Sequence, residues 1–156
     1  MRCREVCPKC GYVHYANPLL VVGTIPVWND SVLLCRRGIE PRKGMWTLPA
    51  GFMELNETTA QGALRETQEE TGASVQIGEL FSMIDVPKSG HVHLFYQARL
   101  QSLQWQPGIE TLEQRLFKFD EIPWNDLSFT TVKTTLAHWI EDVRSGRIQF
   151  HRYTLS

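Results

Sequence analysis

Residues 51–73 read GFMELNETTAQGALRETQEETGA, and this stretch is the most informative part of the chain. Thr58 and Gln61, three residues apart, have the spacing of a capping box at a helix N-terminus. Gly72 is placed to end the same helix. One stripe at helical spacing is formed by Ala60, Ala63, Leu64, Thr67 and Thr71. We therefore expect a helix between Thr58 and Gly72 that packs through this stripe.

Three glutamates on this helix form an acidic face. Glu66, Glu69 and Glu70 stand at positions i, i+3 and i+4, so their side chains lie on one side of the helix. Like charges on one turn repel each other, and no lysine occurs between Gly51 and Met83 to compensate. In isolation, a solvated surface would explain the glutamates. A hard divalent cation such as Mg²⁺ would also remove the repulsion, because it prefers carboxylate oxygens.

The complete spacing decides between these two readings. It resembles the signature of the Nudix hydrolases, G-x5-E-x7-R-E-U-x-E-E-x-G-U, in which U is a bulky apolar residue. Every fixed position of the signature is matched, in the order Gly51, Glu57, Arg65, Glu66, Glu69, Glu70 and Gly72. Thr67 and Ala73 depart from it, because they replace larger apolar residues at packing positions. The resemblance favours the cation site.

The resemblance implies an α/β fold of mixed type: a mixed β-sheet sandwiched between helices, with the signature forming a loop–helix–loop. The residues themselves predict a compatible order of elements. Apolar, β-branched runs predict strands at 19–28 and 32–36, and further strand candidates lie at 74–84, 91–100 and 115–119. Apolar residues at helical spacing predict a closing helix over 131–143. Residues 18–156 would form one hydrolase domain.

The resemblance also implies the chemistry, in which water attacks the diphosphate bridge of a nucleoside diphosphate linked to another group. The cofactor would be Mg²⁺ or Mn²⁺. Its implied ligands are Glu66, Glu69, Glu70 and the main-chain carbonyl of Ala50. Arg65, four residues before Glu69, would orient a neighbouring glutamate rather than touch the substrate. Glu57 is a further candidate ligand, or a partner of Arg65.

The general base is not at a fixed position in this family. It is either Glu66 or a glutamate from a later loop, where Glu110 and Glu113 are available. We favour Glu110, because it follows Pro107-Gly108, a turn that could bring a loop over the cations. The alternative is that both loop glutamates are ordinary surface charges.

Segments outside the signature look like a Nudix subgroup that carries an N-terminal zinc ribbon. This subgroup contains NADH pyrophosphatases and a sister set that acts on FAD and ADP-ribose. The segments that carry the likeness are 12–18, 21–23, 33–37, 44–53 and 115–124. NADH pyrophosphatases have a Gln-Pro-Trp-Pro motif after the signature, and residues 81–93 lack it. We therefore favour FAD and ADP-ribose as substrates, with AMP as a product.

Four residues near the glycine loop are candidates for substrate binding. Arg36 and Arg37 end the second predicted strand, and either guanidinium could bind a phosphate. Strand alternation favours Arg37 if Cys35 faces inward. Trp46 and Phe52 flank the loop and could stack on an aromatic ring, although core packing would explain them equally well.

Residues 1–17 are predicted to be a partial zinc-ribbon-like segment. The related ribbons bind zinc through two Cys-x-x-Cys turns, whereas here only Cys7-x-x-Cys10 is present. Cys3 is a possible third ligand, but its spacing from Cys7 is not that of such a turn. Zinc binding is therefore possible but doubtful. Cys35 reads as a small buried strand residue.

Composition limits the remaining functional classes. The 156 residues carry 16 basic and 17 acidic side chains, so a basic nucleic-acid-binding surface is disfavoured. No apolar run is long enough to span a bilayer, and the first residues do not resemble a secretory signal. We expect a cytoplasmic enzyme with a small nucleotide substrate, no membrane partner and a possible homodimeric state.

Three other functions compete with this interpretation. A pyrophosphatase of NADH or of oxidised nucleoside triphosphates would use the same catalytic residues and differ only in the pocket. A Nudix-like regulator that senses ADP-ribose would add a DNA-binding winged helix, for which only about 25 residues follow Thr131. A zinc-ribbon nucleic-acid module is disfavoured by the single Cys-x-x-Cys turn and the neutral charge.

Overall fold

We describe the protein from a computed structural model, in which residues 2–156 are described. Met1, the first residue of the predicted zinc-ribbon-like segment, lies outside this range. The helices are α1 (Thr59–Thr71) and α2 (Thr130–Ser145). The strands are β1 (Glu5–Val6), β2 (Val13–His14), β3 (Leu19–Trp28), β4 (Ser31–Arg37), β5 (Trp46–Thr47), β6 (Ala50–Phe52), β7 (Val75–Val86), β8 (His91–Leu100), β9 (Thr111–Lys118) and β10 (His151–Thr154).

Within residues 2–156, eight strands form one mixed sheet, and β1 and β2 form a separate hairpin. The order in the large sheet is β10-β7-β8-β3-β4-β5, with β6 also paired to β3 and β9 to β4. β3 pairs parallel with β8, and β10 pairs parallel with β7. The other pairs are antiparallel. This mixed sheet confirms the predicted fold class.

The two helices pack on opposite faces of the sheet. Neighbouring strand residues point to opposite faces, and Leu94 and Phe95 on β8 belong to different core clusters. Leu94 packs with Ala63 of α1, whereas Phe95 packs in the larger cluster with Leu136 of α2. The sheet is therefore covered on both sides, as a sheet that contains parallel strands requires.

The start and end of α1 are those that the sequence predicts. The Thr58 hydroxyl accepts a hydrogen bond from the Gln61 backbone N–H at 3.1 Å, and the Gln61 side chain accepts one from the Thr58 N–H at 2.8 Å. At the other end, Gly72 adopts a left-handed conformation with φ of 68°. That conformation is accessible to glycine at little energetic cost, so the helix stops there.

Thr67 explains one departure from the Nudix pattern. It is fully buried, and its hydroxyl lies 2.8 Å from the Ala63 carbonyl and 2.7 Å from the hydroxyl of Thr24 on β3. Because Thr67 donates its only hydroxyl proton to Ala63, Thr24 must donate to Thr67. A buried hydrogen bond between helix and sheet thus takes the place of apolar packing.

Several boundaries differ from the sequence-based expectations. β9 begins at Thr111 rather than at residue 115, because its first residues pair with the end of β4. β10 was not predicted; it pairs with Ser82–Asp85 on the edge of β7. Neither helix within residues 2–156 is long and apolar enough to cross a membrane.

Candidate active site

Arg65 organises the acidic face of α1. Its Nε and Nη2 atoms bond both carboxylate oxygens of Glu57, at 3.0 and 2.9 Å. Its Nη1 atom lies 2.8 Å from Glu66 Oε1 and 3.2 Å from Glu69 Oε2, and Nη2 also donates to the Phe52 carbonyl at 3.1 Å. The bidentate bond between Arg65 and Glu57 lowers the pKa of Glu57 to about 2. Arg65 therefore holds the loop before α1 against the helix.

Glu70 lies deeper than the other two glutamates of the face. Its Oε2 accepts a hydrogen bond from the Ala50 backbone N–H at 3.0 Å. Burial and, to a smaller extent, the negative charge of Glu66 together raise the pKa of Glu70 to about 8. Burial also raises the pKa of Glu66. Two carboxylates are thus partly withdrawn from water close to each other, and Glu66 is paired with the Arg65 guanidinium.

Gly51 makes room for the acidic face. A Cβ atom at this position would overlap the carboxyl group of Glu66. Gly51, the first residue of the signature, therefore has to lack a side chain. Only then can the Glu66 carboxyl group lie between β6 and α1.

This donor set fits a hard divalent cation. Carboxylate oxygens are the preferred ligands of Mg²⁺ and Mn²⁺, and a cation would offset the repulsion that raises the pKa of Glu70. No group of three His, Cys, Asp or Glu side chains within residues 2–156 is arranged closely enough to hold an ion as it stands. The reason is that Glu66 and Glu69 turn toward Arg65, while Glu70 turns toward Ala50.

Glu110 and Arg37 line the same small cleft as Glu70. The charge of Glu110 contributes to the raised pKa of Glu70. Arg37 Nε donates to the Pro41 carbonyl at 2.7 Å, and its guanidinium lies over the ring of Phe129 at 5.1 Å. Arg36 points elsewhere: it bonds the Gly44 carbonyl at 2.8 Å and lies 3.6 Å from Glu113. Arg36 lines the cleft as well, but it is the charge of Arg37 that lowers the pKa of Glu70 and so opposes the effect of burial.

The two aromatic candidates differ in their surroundings. Phe52 is 51% exposed and meets His91 edge to face at 5.3 Å. Trp46 is partly buried, and its ring meets the core residue Phe117 edge to face at 4.9 Å. This geometry favours the core-packing alternative for Trp46 and leaves Phe52 available to a ligand.

The histidines beside Phe52 form a row along β8. His93 lies 5.8 Å from His91, ring centre to ring centre. Burial lowers the pKa of His93 to about 4, with His91 adding to the effect. His93 is therefore neutral at physiological pH and cannot attract a phosphate by charge.

The N-terminal cysteines lie on or next to the separate hairpin of β1 and β2. Cys3 and Cys10 are exposed and Cys7 is partly buried, and all three thiols are free. The Gly11 N–H donates to the Cys7 carbonyl at 2.9 Å and closes a tight turn. Backbone N–H groups of Cys10 and Lys9 lower the pKa of the Cys7 thiol.

Sequence reasoning did not identify two contacts of Glu70. Cys35, predicted to be buried and found 2% exposed, places its Sγ 4.0 Å from Glu70 Oε2. Thr111 donates its hydroxyl to the Glu70 carbonyl at 2.9 Å. Thr111 stands 41 residues from Glu70, so no local pattern could have indicated this contact.

A second concave region lies away from the acidic helix. It is a groove of about 660 Å³ lined by residues that include Trp28, Arg99 and Trp139. None of its lining residues is a carboxylate, so it offers no carboxylate ligand for a cation and no carboxylate base.

This chain is similar to known proteins in both sequence and structure. The profile of the NUDIX domain matches residues 18–141. The crystal structure of a NUDIX hydrolase from Nitrosomonas europaea superposes with a TM-score of 0.95 at 48% identity, covering 97% of this chain and 86% of that one. The ADP-ribose pyrophosphatase of Methanocaldococcus jannaschii is 28% identical over 116 residues, which cover 72% of this chain and 69% of that protein.

A further relative is longer than this chain. The NAD-capped RNA hydrolase of Photobacterium profundum is 29% identical over 121 residues, covering 76% of this chain but 44% of that protein. The similarity thus extends over less than half of the longer relative.

Proposed function

The chain belongs to the Nudix family and is a Nudix hydrolase, and from this premise we propose that it hydrolyses ADP-ribose, FAD or both at the diphosphate bridge. Water adds to one phosphorus and the bridging P–O bond breaks. ADP-ribose then yields AMP and ribose 5-phosphate, and FAD yields AMP and FMN. The observation that carries the proposal is the arrangement of Glu70, Glu110 and Arg37 around one cleft.

The side chains of the cleft and of the acidic face have distinct parts in this proposal. Glu66, Glu69 and Glu70, with the Ala50 carbonyl, would hold Mg²⁺ or Mn²⁺, which would supply charge neutralisation of the diphosphate and activation of water. Glu110 accepts the proton of the attacking water. Arg37 binds a non-bridging phosphate oxygen. Arg65 keeps Glu57, Glu66 and Glu69 in position.

The substrate preference rests on the pocket around the cleft. The loop that follows β7 lacks the Gln-Pro-Trp-Pro motif of NADH pyrophosphatases, and an archaeal ADP-ribose pyrophosphatase is among the relatives. The exposed ring of Phe52, next to His91, offers a surface on which a base or an isoalloxazine ring can stack.

Product analysis by chromatography tests this preference. FAD, ADP-ribose, NADH and an oxidised nucleoside triphosphate are compared at matched concentrations with Mg²⁺ or Mn²⁺. We expect kcat/KM for ADP-ribose or FAD to exceed that for NADH at least tenfold. Such a ratio needs only about 1.4 kcal/mol of differential transition-state binding.

The alternative functions give different results in the same experiment. A tenfold lead for NADH would support a dinucleotide pyrophosphatase, a candidate favoured by the similarity to an NAD-capped RNA hydrolase. A lead for the oxidised triphosphate would support a nucleotide-cleaning enzyme. Binding of ADP-ribose without turnover would support a sensor of this ligand.

The remaining sequence-based expectations belong to the same proposal. We expect a cytoplasmic enzyme that acts without nucleic-acid or membrane partners and can form a homodimer. Residues 18–156 would carry the activity, and residues 1–17 would be an appendage in which zinc binding through Cys3, Cys7 and Cys10 is doubtful.

A further inference from the structure

The C-terminal end of α1 is capped by side chains and backbone from a distant segment. The last four carbonyl groups of a helix accept no hydrogen bond from within the helix and need donors from elsewhere. The Glu70 carbonyl accepts two hydrogen bonds, from the Thr111 hydroxyl at 2.9 Å and the Gly108 N–H at 3.1 Å. The next carbonyl, of Thr71, accepts one from Gln114 Nε2 at 2.8 Å.

The two donors to Glu70 are the ends of one β-turn. The Thr111 N–H donates to the Gly108 carbonyl at 3.1 Å, which closes a four-residue turn with Ile109 and Glu110 at its centre. The Glu110 carbonyl accepts a hydrogen bond from the Gly38 N–H at 2.8 Å. The turn that carries Glu110 is therefore bonded to α1 at both ends and to the end of β4 at its centre.

The turn has no apolar anchor of its own. Ile109, its other central residue, is fully exposed, so burial of this side chain does not hold the turn. The turn instead approaches α1 closely at Gly108, which must be a glycine because a Cβ there would overlap the Glu69 carbonyl. Hydrogen bonds to Glu70 thus determine where the turn lies relative to the acidic face.

We propose that Thr111 is a positioning residue for the hydrolytic reaction, acting through Glu110. Its hydroxyl bonds the backbone of a residue whose side chain belongs to the acidic face, and its own backbone closes the turn that presents Glu110 to the same cleft. The Thr111 hydroxyl bond is therefore one of three hydrogen bonds that fix the base with respect to the acidic face, together with those of the Gly108 and Gly38 N–H groups. This inference rests on the role of Glu110 given under the proposed function.

The test replaces Thr111 by valine, which keeps the branched shape and removes the hydroxyl. We expect Thr111→Val to lower kcat at least tenfold with KM changed less than threefold, and Thr111→Ser to restore most of the loss. Thr134→Val is the matched control, since it removes a hydroxyl that donates to the Thr130 carbonyl at 2.9 Å on α2. We expect this control to keep the kcat of the wild type.

A double-mutant cycle separates an action through Glu110 from a general loss of structure. We expect Glu110→Gln to lower kcat about 10²–10⁴-fold, the range for loss of a general base. Thr111→Val should then add less than threefold to that loss. Full additivity of the two losses, or wild-type kcat in Thr111→Val, would overturn the inference while the hydrolase function stands. An unaltered kcat in Glu110→Gln would overturn both the inference and the assigned base.

A measurement without substrate keeps this inference separate from the proposed function. Hydrogen exchange of the Gly38 and Gly108 amides, followed by NMR, reports directly on the two backbone bonds of the turn. We expect at least tenfold faster exchange at both amides in Thr111→Val and no change in Thr134→Val. Unchanged exchange would overturn the positioning role. A wild-type protein that hydrolyses none of the four substrates would instead refute the proposed function.

Discussion

Among single residues, Glu70 is a carboxylate whose pKa is raised to about 8, chiefly by burial. We expect Glu70→Gln to lower turnover by on the order of 10²–10⁴-fold, because a ligand charge is removed from the candidate cation site. The glutamine oxygen can still accept the bond from the Ala50 N–H, so the fold should be retained. Glu69→Gln should lower turnover in the same range.

Thermal unfolding measured with and without Mg²⁺ or Mn²⁺ completes this prediction. A ligand that binds only the folded protein raises Tm, so the ions should stabilise the wild type and stabilise Glu70→Gln much less. Glu79→Gln, an exposed change on β7, is the control and should behave as the wild type. Wild-type turnover in a folded Glu70→Gln protein would refute the cation site.

Among the secondary-structure elements, β6 and α1 meet at Gly51, where an added methyl group would overlap the Glu66 carboxyl group. We expect Gly51→Ala to lower kcat at least tenfold with little change in Tm, because a flexible carboxylate can move aside but then leaves its place in the site. The control is Gly78→Ala on β7, whose Cβ would lie 3.5 Å from Gln97. A Gly51→Ala enzyme with full kcat would show that the place of Glu66 is not critical.

Elements with strong local signals were predictable from the sequence, and elements that depend on a partner were not. The capping box of Thr58 and Gln61 and the terminal Gly72 defined α1 almost to the residue. β10 carries no comparable local signal, because its formation depends on the free edge that β7 presents at Ser82–Asp85. The early start of β9 likewise follows from its pairing with β4.

For the whole molecule, the hairpin of β1 and β2 is a sheet of its own, and its cysteines raise the question of zinc. Three free thiols, two of them exposed, do not complete the Cys₄ set of a structural site. We expect the purified protein to contain well under one zinc per chain by elemental analysis. A chelator should barely change Tm, because structural zinc would contribute directly to folding. One zinc per chain would show that a fourth ligand exists.

Part of the candidate site was predictable from the sequence. The spacing within residues 51–72 predicted the glutamates and Arg65 as site residues, since all of them lie on one loop and one helix. Strand alternation favoured Arg37 over Arg36, although both line the cleft. The turn at Pro107-Gly108 was predicted, but Thr111 and its bond to Glu70 were not, because the sheet topology alone brings residues 106–111 against the end of α1.

Arg65 also affects the order of helix formation and cation binding. Three carboxylates on adjacent turns oppose helix formation, but the guanidinium of Arg65 is an internal counter-ion for Glu57, Glu66 and Glu69. The helix can consequently form on the newly made chain before any inorganic ion arrives. A cation that bound at Glu66 and Glu69 would have to compete with the tethered Arg65 side chain for Glu66 Oε1 and Glu69 Oε2. The apparent affinity for the ion would then report the difference between the binding free energies of the cation and of the Arg65 guanidinium for these carboxylates.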